Sequence, residues 1–156
     1  MILGDIMPTQ KRSGEGEMMT VEFSQMIDRP LSDVFRFMAE QHVQNHPRWD
    51  PNIELKQETD GPIGVGTVLR RRNTRYEEPV EGTMEVVEYE PNEAMGTVIK
   101  EGGFEMSGRI TFEGMGPSQT KVTRSATVPA SIDEALIRSE MERTARTIGD
   151  LIESEF

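Results

Sequence analysis

The chain has 156 residues, a formal net charge of −11 and no cysteine. That length suits one domain that buries a core without staples, and the lack of cysteine excludes disulfides, thiolate zinc sites and cysteine nucleophiles. So acidic a surface repels phosphate backbones and anionic lipid, which argues against nucleic-acid and membrane-surface partners. No apolar run reaches the roughly 18–20 residues of a membrane helix, so no membrane insertion is expected and a cytoplasmic location is the default. The eleven methionines suit either irregular core packing or a pocket that adapts to its ligand.

Residues 1–18 mix Gly, Lys, Glu, Ser and Thr without periodicity and read as a flexible leader before a single domain over 19–156. From Thr20 the residues alternate like a strand, with Val21, Phe23 and Gln25 on one face. Pro30 ends it and can open a helix at its first position. Leu31, Val34, Phe35 and Met38 then form one helical stripe. A short second helix or turn is expected over 40–45, followed by His46-Pro-Arg-Trp-Asp-Pro51.

The centre reads as six short strands separated by Gly, Pro, Asn and Asp: 52–59, 66–76, 80–90, 93–100, 104–113 and 118–128. This spacing predicts an antiparallel meander rather than βαβ units. The clearest alternation sets Phe104, Met106, Gly108, Ile110 and Phe112 against Glu105, Ser107, Arg109, Thr111 and Glu113, the pattern of a half-buried strand. The last segment is a helix over 132–154. Ser131-Ile-Asp-Glu134 has the form of a capping box, and the stripe runs through Leu136, Ile137, Met141, Thr144, Ala145, Ile148, Leu151 and Ile152. Gly149, costly inside a helix by about 1 kcal/mol, permits close approach to a strand.

Several phrases carry a family resemblance: Arg29-Pro-Leu-Ser-Asp-Val-Phe35, Arg48-Trp49-Asp50-Pro51, Gly64-Val-Gly-Thr67, Glu88-Tyr-Glu-Pro91 and Thr120-Lys-Val-Thr123. In order and spacing the chain resembles the START-like (SRPBCC) superfamily, and within it the polyketide cyclase/dehydrase and lipid-transport-like group. The resemblance implies an α+β helix-grip fold: a seven-stranded curved antiparallel sheet around a long C-terminal helix, with two small helices after the first strand. It implies an elongated cavity between sheet and helix, but no catalytic motif. A curved sheet cannot lie flat on a straight helix, so large side chains or a ligand must fill the gap. Gly108 on one side and Thr144 and Ala145 on the other favour a void.

The expected ligand contacts are Phe104, Met106, Gly108 and Ile110, with Met84 on a neighbouring strand, Phe35 on the first helix, and Met141 and Thr144 on the last. Four polar or amphipathic residues join them. Trp49 either orients a ligand at the mouth or anchors the small helices as a plug. Arg72 with Tyr76 either offers a polar site or belongs to cross-strand pairs with Glu77, Glu81, Glu85 or Glu88 on the outer face. Glu140 either anchors a ligand or stays solvated. His42 and His46 are the only histidines. A surface or rim role is expected for them, with acid/base work by His46 kept open, because Pro47 disfavours a helical His46 and no third metal ligand stands at a motif spacing.

No phosphate loop, nucleophile elbow or carboxylate metal cluster is present, so neither metal nor cofactor is expected. The leading expectation is a binding protein for a small hydrophobic or aromatic molecule. A cyclase or dehydratase and a protein-interaction module are the rivals, and a homodimer is compatible with all three.

Overall fold

The computed structural model describes residues 16–75 and 77–156. The expected leader falls outside them except for its last three residues, and of these Met18 already pairs with Pro129. Tyr76 also lies outside the described residues.

The first strand, β1 (Met18–Ile27), leads through Pro30 into α1 (Leu31–Phe35), which runs on as a π-helical stretch over Arg36–Glu40 before α2 (His42–Trp49). Strands β2 (Ile53–Gln57), β3 (Val68–Asn73), β4 (Val80–Glu90), β5 (Ala94–Glu101), β6 (Phe104–Gly114) and β7 (Thr120–Pro129) follow, then α3 (Glu134–Glu155). The seven strands form one sheet in the order β1-β7-β6-β5-β4-β3-β2, antiparallel throughout. The expected meander is therefore present, with β1 closing onto β7.

Register fixes which side chains look inward. Met106, Gly108, Ile110 and Phe112 of β6 stand in line with Ile99, Thr97 and Met95 of β5 and with Ala126, Arg124 and Val122 of β7. An irregularity between Val86 and Glu88 in β4 adds a residue on one strand, which bends the sheet and tightens its twist. Bending wraps the inner face around α3, whose buried stripe is Ile137, Met141, Ala145, Ile148 and Ile152. Each isoleucine and the methionine of this stripe contributes about 1.5–3 kcal/mol by leaving water. The helix lies close on β1: Gln25 Nε2 donates to the Ala145 carbonyl at 2.8 Å, and a Cβ on Gly149 would stand 3.4 Å from the same Nε2.

Three local expectations are corrected. The capping box does not form: Ile132 is buried against Val21, Val128 and Ile137, which holds it in the turn, and the helix starts later with Asp133 Oδ1 accepting from Ala135 N at 2.9 Å. Glu134 instead pairs with Arg138, and Leu136 is exposed. The second small helix runs on to Trp49 and contains Pro47. Pro47 sits in its last turn, where the missing N–H forfeits a single bond, to the Val43 carbonyl.

Two apolar clusters divide the interior. The larger joins α1, α2 and the end of α3, with Phe35 meeting Tyr89 and Phe112 edge-on at ring separations of 5.5 and 5.0 Å. The smaller gathers Val21, Met106, Val128, Ile132, Ile137 and Met141.

Candidate functional site

A cavity of about 180 Å³ opens between the inner face of the sheet, α2 and α3. Its walls are mostly apolar: Met84, Met95, Ile110 and Ala126 from the sheet, Trp49 from α2 and Met141 from α3. Gly108 faces it with no side chain, and Thr97 supplies a hydroxyl. This is the gap that a curved sheet leaves against a straight helix.

The helical spacing of 42, 46 and 49 puts His42, His46 and Trp49 on one face of α2. Ring separations are 4.7 Å for His42–His46, 5.3 Å for His46–Trp49 and 5.9 Å for His42–Trp49. His42 Nδ1 lies 2.9 Å from the Met38 carbonyl and must donate to it, which leaves Nε2 as an acceptor. That Nε2 and His46 Nδ1 are buried without partners among the described residues. Burial pushes the His42 imidazole down to about 4, opposed by its backbone hydrogen bond. His46 is lowered for the same reason, and by the nearby cations Arg71 and Arg124. Both rings are therefore neutral at pH 7 and line the cavity; of the expected surface or rim role, the surface half is corrected.

Arg124 is the one cation in the wall without a counter-charge among the described residues. It extends inward from β7 beside Ile110, and Nη2 donates to the Met141 carbonyl at 2.6 Å. Loss of solvation lowers its guanidinium to about 10, so it stays charged near neutrality. The sequence carried a signal for it: Arg124 is in phase with Val122, Ala126 and Val128, an arginine at a core position of a strand.

Of the two readings of Arg72, the cross-strand pair on the outer face holds and the polar site in the cavity does not. Arg72 is exposed, bridging Glu54 at 3.1 Å and Glu81 at 3.2 Å, because Leu69 takes the core position and carries Arg71 and Asn73 inward with it. Arg71 ion-pairs with Glu101 on β5, both nearly fully buried. The row between them is occupied by Gly82, so nothing blocks the guanidinium's path. Asn73 Nδ2 donates to Glu101 at 3.0 Å, and Arg75 reaches Asp50 at 3.2 Å. Burial lowers the Arg71 guanidinium, with Glu101 opposing. These charges neutralise one another and tie β3 and β5 to the end of α2.

Five of the twelve expected contacts stand at the cavity wall: Trp49, Met84, Gly108, Ile110 and Met141. Phe35 is core, and Met106 belongs to the smaller apolar cluster. Phe104 sits at the start of β6, paired with Glu101, and Thr144 is half-buried away from the wall. Glu140 turns along α3 to Arg143. Reasoning from sequence missed Met95, Thr97, Arg109, Arg124, Ser125 and Ala126. A second hollow, about 230 Å³, lies around Glu88, Gly96, Val98 and Ser107. Arg109, which borders both hollows, is already engaged by Glu88 at 2.7 and 2.9 Å.

No helix among the described residues is long and apolar enough to cross a membrane, and no group of three or more metal-ligating side chains occurs among them. The model of the family described as polyketide cyclase/dehydrase and lipid transport matches residues 18–152. Among solved structures, the chain is similar to Ara h 8.0201, with a TM-score of 0.70 at 15% identity over 89% of this chain and 100% of that one. Norcoclaurine synthase from Thalictrum flavum, crystallised with dopamine and hydroxybenzaldehyde, gives 0.66 at 15% identity over 90% of each chain. Major latex-like protein 151 from Panax ginseng gives 0.67 at 16% identity over 86% and 97%. At such identities the likeness is one of fold. No curated protein sequence matches the chain.

Proposed function

The chain belongs to the polyketide cyclase/dehydrase and lipid transport family, and from that premise we propose that it binds a small, largely apolar molecule between the sheet and α3. The observation that carries this reading is the cavity itself, walled by methionine, isoleucine, alanine and tryptophan and left open at Gly108. Apolar walls with few convergent polar groups are the usual make-up of a small-molecule site. Methionines from both the sheet and α3 let one pocket follow ligands of different outline. A thermal-shift screen of fatty acids, polyketide-like aromatics and steroids tests the reading. At least one class should raise the melting temperature in proportion to the logarithm of its concentration. If none does so at millimolar concentration, binding in this cavity is refuted.

A second reading, cyclisation or dehydration of a carbonyl compound, is favoured by one observation. Neutral imidazoles with unpartnered nitrogens share the cavity with a guanidinium, a base and an oxyanion partner in one enclosure. Incubation with a poly-β-ketone thioester, followed by mass spectrometry, separates the readings. Loss of one water per turnover supports catalysis, and recovery of unchanged thioester leaves binding alone.

A further inference from the structure

The other arginines that turn into the sheet's interior from β3 and its end, Arg71 and Arg75, each have a carboxylate. Arg71 has Glu101 and Arg75 has Asp50, exposed Arg109 is held by Glu88, and Glu140, half-buried beside Met141, is taken by Arg143. Arg124 has only a backbone carbonyl. A guanidinium has five N–H donors, so most of its hydrogen-bonding capacity is unspent at the cavity wall. A partly buried charge without an opposite charge is costly, and a fold tolerates the cost where a ligand offsets it. The neighbouring side chains cannot: Phe23 and Ile110 flank Arg124 in the sheet, and Ala126 and Met141 share its wall. The two histidines there are neutral and, as imidazoles, cannot balance a cation.

We propose that the occupant of the cavity is an apolar molecule bearing a carboxylate or a comparably compact oxyanion, which pairs with Arg124 while its hydrocarbon body lies against Met84, Met95 and Ile110. The inference deepens the binding reading above and rests on it. A planar carboxylate fits the guanidinium fork through two parallel hydrogen bonds, a match that lysine does not offer. Size bounds the body: a cavity of about 180 Å³ is slightly larger than the roughly 150 Å³ that accepts benzene in an engineered core. One or two fused rings, or a short branched chain, is the fitting class.

The test compares 2-naphthoate with 2-naphthamide, which share shape but not charge, by isothermal titration calorimetry on the full chain. Wild type should bind naphthoate at least about tenfold more tightly, the usual worth of a charge-assisted hydrogen bond. Arg124→Met should level the two affinities, and Arg70→Met, at an exposed arginine paired with Glu58 away from the cavity, should leave the ratio unchanged. Equal affinities in wild type, or a ratio that survives Arg124→Met, overturn the anion assignment while leaving the cavity reading intact. Failure of both compounds to bind wild type overturns the two together. The wild-type ratio needs no variant, so the test stands even where Arg124→Met does not fold.

Discussion

Lowering the pH from 7 to 5 should weaken this protein through its two histidines, well before most carboxylates titrate. An unfolded histidine has its ordinary value near 6.5 and is largely protonated at pH 5. Folded His42 is held at about 4 by burial and remains neutral there. The unfolded state thus binds more protons across this window, so stability is present in full above about 6.5 and is lost as pH falls toward the folded value. For His42 alone the loss between pH 7 and pH 5 is about 2 kcal/mol, and His46, shifted in the same direction, adds to it. Against a total of about 5–15 kcal/mol for a domain, that is a large fraction. Guanidinium unfolding at pH 7, 6 and 5, followed by the fluorescence of Trp49, the single tryptophan, measures it. Replacing both histidines by asparagine should flatten the dependence. An unfolding free energy in wild type that stays constant from pH 7 to 5 would refute neutral, buried imidazoles at the cavity.

Four substitutions probe other parts of the structure. Glu101→Ala strands Arg71 in the interior and should cost about 3–5 kcal/mol in denaturant unfolding, whereas Glu54→Ala, which removes an exposed partner of Arg72, should cost no more than about 1 kcal/mol. Gly82→Ala drives a Cβ into the Lys100 carbonyl oxygen and puts it 3.1 Å from Glu101 Cα. Overpacking against backbone should lower stability by about 1–3 kcal/mol, read as a fall in denaturant midpoint. Gly108→Leu has room at Cβ, with Thr97 Oγ1 at 3.5 Å and the Ser125 carbonyl at 3.8 Å, and its side chain enters the cavity. Circular dichroism should stay native while the ligand-induced rise in melting temperature disappears.

The architecture was largely legible because its signals are local. Gly102-Gly103 and Pro91-Asn92 separate strands cleanly, and the alternation from Phe104 to Phe112 states its own facing. The site was legible only in part, because it depends on which of two faces a strand turns inward. In β3, Val68 and Leu69 are both apolar, so period two alone fits either facing; Gly82 on the paired strand, which leaves a path from Arg71 to Glu101, resolves it. In β7 the inner face holds Arg124 among Val122, Ala126 and Val128, and a charged residue breaks the pattern that marks a core face. The helical run across Pro47 was hidden for another reason: the proline penalty is small in a last turn, and the stacking of His42, His46 and Trp49 acts against it. Pairings such as Arg71 with Glu101, 30 residues apart, are set by register, which no short window contains.

The central claim, that a small molecule occupies the space between sheet and α3, is tested most directly by methyl NMR of protein labelled at the methionine methyl carbons and titrated with 2-naphthoate. Ring-current shifts are expected at Met84, Met95 and Met141, which line the cavity, and none at the exposed Met26 and Met115. Saturating naphthoate that leaves the three cavity methyls in place, or that moves Met26 or Met115 instead, would contradict it.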